Sequence, residues 1–238
     1  MTEQDITIQA FTELAPTYEE TVDRELRQFW GIGYREFIGH LISKVNISEN
    51  DAVLDVATGK AIIPNELAGN RENQGQIIGL DITPAMLVEA KENIENDETS
   101  AQVKLVCGSA MEMPFVGGLF DVVICGLGMH HMKATEMLTE MKRVLKSGGK
   151  LLMADVGAST FWRSFIGQIF LKVLLFRYGL TNKGARAEAE KEAFDNIYTP
   201  KEWRSLLTDF GFSAIEVTKF NAKYPWYPSG LIISAIRT

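Results

Sequence analysis

Residues 53–61 read VLDVATGKA. An apolar run ends in Asp55 and passes into a turn with a single glycine, Gly59. That is the outline of a nucleotide-binding turn, a short buried strand feeding a helix. Loops that hug a dinucleotide usually carry two or three glycines, because bare backbone must approach the pyrophosphate. The stretch therefore raises two linked questions: whether a cofactor is held here, and which one.

Outward from this stretch the chain alternates. AVLDV is a short buried strand and AIIPNELAG opens a helix with proline near its first turn. QIIGLDI is a second strand, PAMLVEAKENI the next helix, VKLVCG a third strand and FDVVICGLG a fourth. ATEMLTEMKRVLKSGG is an amphipathic helix closed by a glycine pair, and KLLMADV is a fifth strand. Strands that are apolar throughout and separated by helices predict a parallel sheet covered on both faces. Right-handed crossovers then make it doubly wound. The end differs: TPKEWRSLLTDFGF is a helix, and SAIEVTKFN and GLIISAIRT follow with only a loop between them. So short a connection forces these two strands antiparallel. Residues 8–45, before the alternation, read as helical with a break near Ala15-Pro16.

Length and composition bound the reading. The 238 residues, 46% hydrophobic, suit one α/β domain with an insertion. Its segments are 1–46 (N-terminal helices), 47–157 (cofactor-binding core), 158–199 (helical insertion) and 200–238 (last helix and strand pair). A net charge of -7 without a basic cluster argues against nucleic acid. Cys107 and Cys125 sit in or beside apolar runs and are expected to be buried free thiols. The acidic, polar opening MTEQDITIQAF lacks a signal peptide's apolar region, so a cytoplasmic setting is expected.

Ligands on open α/β sheets bind beyond the carboxyl ends of the strands. Asp55 ends strand one. Asp81 ends strand two, roughly 20 residues past Gly59, the spacing of a carboxylate that accepts ribose hydroxyls; the alternative is a helix-capping aspartate. Around them, VLDVATG, GLDITPAMLVEAKE, SAMEMPF, FDVV and MKRVLKSGGKLLMAD stand in an order and spacing that resemble the class I S-adenosylmethionine-dependent methyltransferases. Within that class the chain is similar to the group of ubiquinone/menaquinone-biosynthesis C-methyltransferases, over residues 10–157 and 200–238.

The resemblance implies a Rossmann-like, doubly wound seven-stranded α/β sheet, mostly parallel with one antiparallel strand near the C-terminus. It implies S-adenosylmethionine as cofactor and S-adenosylhomocysteine as product. Asp55, Ala57 and Gly59 would approach the methionine half, and Asp81 the ribose. Ile82, Ser109 and Ala110 would border the adenine, with Tyr18 closing over the cofactor and Met86 and Cys125 completing the site. S-adenosylmethionine has no pyrophosphate, so one glycine suffices where the turn approaches it. The chain departs from the family in having Lys60, Ala61 in place of a glycine, and Ser109 in place of an acid. Ala61 is tolerable if its φ is negative.

Methyl transfer from a sulfonium is an in-line displacement that depends on alignment and exclusion of water. A base is needed only where the nucleophile must lose a proton. Of three histidines, His130 and His131 follow strand four at the ligand edge, and Asp155 ends strand five. Each is a candidate for that role, or for packing and capping. No His/Asp/Glu group shows metal-ligand spacing, so no metal is expected. The insertion carries FWRSFIGQIFLKVLLFRYG, with apolar residues at 161, 162, 165, 166, 169, 170, 173 and 174. Lys172 and Arg177 interrupt it and argue against a membrane span. Residues 158–198 are expected to form a lid over a lipophilic acceptor; 161–178 as a membrane or dimer contact and plain core are the other readings. NKGARAEAEKEAF after it reads as solvated. Tyr224, Trp226 and Tyr227, in NAKYPWYPSG, would wall the acceptor pocket or plug the space beneath the lid. The expected function is methylation of a small apolar or aromatic acceptor such as a quinol, polyketide or lipid, with no stable protein partner. A cofactor-binding protein without turnover and a nicotinamide oxidoreductase are the alternatives.

Overall fold

The structure, a computed structural model, describes residues 2–44, 46–69, 75–95, 103–181, 184–224 and 226–238. Three helices open the chain: α1 (Glu3–Leu14), α2 (Tyr18–Trp30) and α3 (Tyr34–Ile42). α1 starts earlier than its apolar residues suggest, because Thr2 and Asp5 form a capping box that satisfies its first amides. Gly31, at φ 77°, ends α2.

The alternating part follows as β1 (Val53–Val56), α4 (Ile62–Gly69), β2 (Ile77–Asp81), α5 (Pro84–Glu95), β3 (Val103–Cys107), β4 (Phe120–Gly126), α6 (Ala134–Val144) and β5 (Leu145–Gly157). Then come α7 (Phe165–Thr181), α8 (Ala185–Ala193), α9 (Pro200–Asp209), β6 (Phe212–Phe220) and β7 (Ser229–Arg237). The seven strands run in the order β3-β2-β1-β4-β5-β7-β6. Only β7 opposes its neighbours, pairing antiparallel with both β5 and β6. The reversal of order between β1 and β4 opens a crevice at the carboxyl ends of the strands.

The central strands are buried on both faces because alternate residues enter two cores. Leu54, Val123 and Cys125 pack with Met137, Met141 and Trp203 of α6 and α9. Val53, Val122 and Ile124 pack with Phe37, Ile38 and Leu41 of α3 and Ile63 of α4. Cys125 is buried as expected, but Cys107 is exposed. Its strand, β3, is the sheet edge, so an apolar run there does not bury every side chain.

The insertion corrects two expectations. Phe165, Ile166, Ile169 and Val173 on α7 are largely exposed, so most of the apolar face looks outward instead of forming the underside of a lid. α8, expected to be solvated, buries Ala185, Ala187, Ala189 and Ala193. Ala185 and Ala189 pack against Ala10 and Ile6 of α1. Small side chains allow the two helices to approach closely, and the charges of α8 occupy its remaining faces. The side chains of 174–183, Arg177 among them, lie outside the described residues. Among the described residues no helix is long and apolar enough to cross a membrane.

Candidate active site

The turn after β1 is built from three left-handed residues: Ala57 at φ 56°, Gly59 at φ 53° and Ala61 at φ 61°. The condition that would have made Ala61 unstrained is not met. An alanine in this region costs about 1–2 kcal/mol, and the surrounding bonds hold the turn there. The Thr58 amide donates to the Leu80 carbonyl (3.0 Å) and the Ala61 amide to the Thr58 carbonyl (2.9 Å). The Gly59 amide donates to Asp81 Oδ2 (2.8 Å). Lys60 leaves the site altogether, its Nζ 2.9 Å from Glu89 of α5.

Asp81 is buried and accepts a second bond, from the Thr83 amide to Oδ1 (2.8 Å). It therefore caps the start of α5, as one of the two readings has it, and also clamps the β1 turn while lining a cavity. Burial pushes its pKa up, against the pull of those amides. Tyr18, Ala57, Gly59, Ile82, Met86, Ser109 and Ala110 line the same cavity. Gln4, Thr7 and Phe11 of α1 and Gly128 after β4 also line it. Gly128 must be small, because a Cβ there would lie 2.8 Å from Ala57 Cβ.

Asp55 and Cys125 do not reach the wall. Cys125 Sγ lies behind Gly128, 3.9 Å from where a Cβ on that residue would stand. Asp55 is 1% exposed; Thr58 Oγ1 donates to its Oδ2 at 2.6 Å, while Oδ1 has no partner among the described residues. Burial pushes its pKa up to about 7, with Asp81 adding to the rise and Thr58 opposing it. A carboxyl whose pKa is raised by folding stabilises the fold fully below its unfolded pKa, near 4, and loses that contribution as pH rises through 7. Asp55→Asn is thus expected to gain in melting temperature relative to the parent between pH 5 and pH 8. A difference in melting temperature that does not change with pH would contradict this.

Beyond the first cavity, which is narrow at about 80 Å³, lies a second one of about 610 Å³, within the usual range of small-molecule sites. Its walls are mostly aromatic and aliphatic: Phe29 and Trp30 of α2, Trp162, Phe170, Trp226 and Tyr227. Trp226 and Tyr227 are thus wall residues, whereas exposed Tyr224 stacks on Trp226 from outside, at 5.2 Å between ring centres. Pro225 lies outside the described residues. Phe11, Tyr18, Leu127 and His131 border both cavities, so the two meet at these side chains.

His131 stands at this junction, and His130 beside it borders only the second cavity. Asp155 Oδ2 accepts the backbone amide of His130 (2.8 Å), and its Oδ1 lies 2.6 Å from His130 Nδ1. The Val156 amide donates to Oδ1 as well (2.7 Å). With two amides donating to the carboxylate, Nδ1 carries the hydrogen and Nε2 is the basic nitrogen. Burial lowers the pKa of His130, but Asp155 outweighs it, with Glu190 adding, so the ring titrates above its ordinary value. His131 is pushed well below its ordinary value by burial, by His130 and by Arg186. Its ring meets Phe11 edge-on at 5.0 Å.

Glu190 comes from α8, and ligand atoms of His130, His131 and Glu190 lie within 4.8 Å of one another. No sequence spacing joins them; the packing of α8 does. Arg186 faces the same carboxylate at 3.9 Å and also binds Glu25 at 2.7 Å. Its positive charge, shared between Glu25 and Glu190, opposes a dication at this cluster.

A single-glycine turn, a buried carboxylate ending β2 and the 3-2-1-4-5-7-6 sheet make up the fold of the class I S-adenosylmethionine-dependent methyltransferases. A methyltransferase of this type from Aquifex aeolicus superposes with a TM-score of 0.62 at 18% identity, over 94% of this chain and 98% of that one. Residues 30–223 match the ubiE/COQ5 methyltransferase family, and the chain belongs to it. It is 34% identical to the demethylmenaquinone methyltransferase of Bacillus cereus (strain B4264), over 74% of this chain and 76% of the relative. It is 29% identical to the ubiquinone/menaquinone biosynthesis C-methyltransferase UbiE of Geobacter sp. (strain M21), over 86% and 87%.

Proposed function

We propose that this methyltransferase transfers a methyl group to a ring carbon of a lipophilic quinol. The observation that carries this reading is the aromatic-walled cavity of about 610 Å³ that meets the cofactor cavity at Tyr18 and His131. The names of the two curated relatives point the same way. In this reading Asp81 accepts the ribose hydroxyls, and the turn at Ala57 and Gly59 faces the methionine half. Ile82 and Ala110 border the adenine, Met86 packs beside the nucleoside, and Tyr18 closes over the sulfonium. Asp55 and Cys125 act from behind the wall.

The acceptor lies with its ring carbon in line with the methyl carbon and the sulfur. The new carbon–carbon bond forms as the carbon–sulfur bond breaks, releasing S-adenosylhomocysteine. Losing the quinol's hydroxyl proton makes the ring carbon a better nucleophile. His130 takes that proton on Nε2, and Asp155 holds the ring and balances the charge it gains. Once the methyl is on, the ring carbon carries both it and its own hydrogen; that C–H proton then leaves, the oxygen regains one, and the aromatic quinol is restored with one proton released overall. His131, kept neutral, packs at the junction.

The test is to supply S-adenosylmethionine with a reduced short-chain demethylmenaquinone. S-adenosylhomocysteine and a ring-methylated quinol in equal amounts are the expected products. No methylated quinol, together with methylation of a polyketide or lipid acceptor, would assign the cavity to those instead.

A further inference from the structure

We infer that Gln4, on the N-terminal helix, recognises the adenine amino group of the cofactor. The inference rests on the cofactor-binding reading above. The ribose is placed by Asp81, so the base extends past Ile82 toward the loop after β3, where Ser109, Ala110 and Met111 line the cavity. An adenine amino group needs an acceptor there.

Ser109 is the side chain the loop itself offers, but its oxygen is already engaged. It accepts the Met111 amide at 3.2 Å and Gln4 Nε2 at 3.1 Å. A hydroxyl oxygen has two lone pairs, and both are spent. Gln4 lines the same cavity. With one N–H of Nε2 committed to Ser109, the amide keeps a second N–H and Oε1, and Oε1 is the acceptor it can offer the base. Ser109 thus orients the Gln4 amide, and Gln4 supplies the acceptor that the loop lacks.

The geometry that brings Gln4 there is independent of this bond. The Thr2–Asp5 capping box fixes the start of α1. Ala10 packs on Ala185 and Ala189 farther along it. Gln4→Ala should therefore leave the helix in place.

The test compares S-adenosylhomocysteine with S-inosylhomocysteine, whose base carries an oxo group in place of the amino group. By calorimetry the parent protein should bind the inosine ligand at least about tenfold more weakly, since an acceptor then faces an acceptor. Gln4→Ala should bind S-adenosylhomocysteine about five- to tenfold more weakly and discriminate by no more than about threefold. Gln4→Glu, which keeps an acceptor and can accept from the Ser109 hydroxyl, should restore discrimination. If Gln4 merely pins α1, both ligands weaken equally in Gln4→Ala and the ratio stays at the parent value; that result overturns the assignment. Failure of S-adenosylhomocysteine to bind the parent protein at all would instead overturn the cofactor site itself, and this inference with it.

Discussion

Replacing His130 by alanine is expected to lower methyl transfer to a quinol by about 10²–10⁴-fold, the usual range for a positioned general base. S-adenosylhomocysteine affinity should stay within about threefold, because His130 borders the acceptor cavity and not the cofactor cavity. Alanine also strips Asp155 of its closest partner, the ring nitrogen at 2.6 Å. A buried carboxylate left short of a partner destabilises the fold by itself. His130→Asn separates the two effects, since its amide can donate toward Asp155 yet is not basic. Asparagine should restore the melting temperature and leave turnover low. The parent's turnover should rise with pH through a pKa above 6.5, as the raised imidazole loses its proton. Both variants should lack that limb. Near-parent turnover in His130→Asn would show that the histidine only packs and that the acceptor needs no base from this pair.

Asp81→Ala is expected to weaken S-adenosylhomocysteine binding by about 1.5–3 kcal/mol, on the order of 10–150-fold. Two losses combine. The ribose loses a charged acceptor, and the Gly59 and Thr83 amides lose theirs, which loosens the turn that faces the methionine half. Asp81→Asn is no remedy. Each carboxylate oxygen accepts one backbone amide, so the side-chain amide in that variant would turn an NH₂ toward one of two N–H groups. Calorimetry on both variants, beside a melting curve, checks this; unchanged affinity in Asp81→Ala would remove the carboxylate from the nucleoside site.

Much of the site was legible because ligand-edge residues follow from strand ends. Asp81, Gly59, Ser109, His130 and Asp155 each stand where a predicted strand stops, and a parallel sheet gathers those ends on one edge. Gly128 carried a signal in GLGMHHM, yet only the fold shows why it is small: Ala57 sits opposite. Gln4 and Glu190 had no comparable signal. They lie on helices from opposite parts of the chain that meet through alanines, and alanine marks a helix in sequence without saying what it touches.

The order of elements and the antiparallel pairing of the last two strands could both be read from the chain alone. They depend on local periodicity and on connection length, which travel with the sequence. The left-handed conformation of Ala57 and Ala61 could not be read that way, because bonds to β2 and within the turn override their intrinsic preference. Nor could the choice of α8, in place of the apolar α7, as the helix that packs over the junction. Close approach to α1 requires small side chains, and Phe165, Ile166, Ile169 and Val173 of α7 stay outside. The pairing of His130 with Asp155 was settled in three dimensions too: β4 and β5 are neighbours in the sheet, and their adjacent ends bring the two side chains to 2.6 Å.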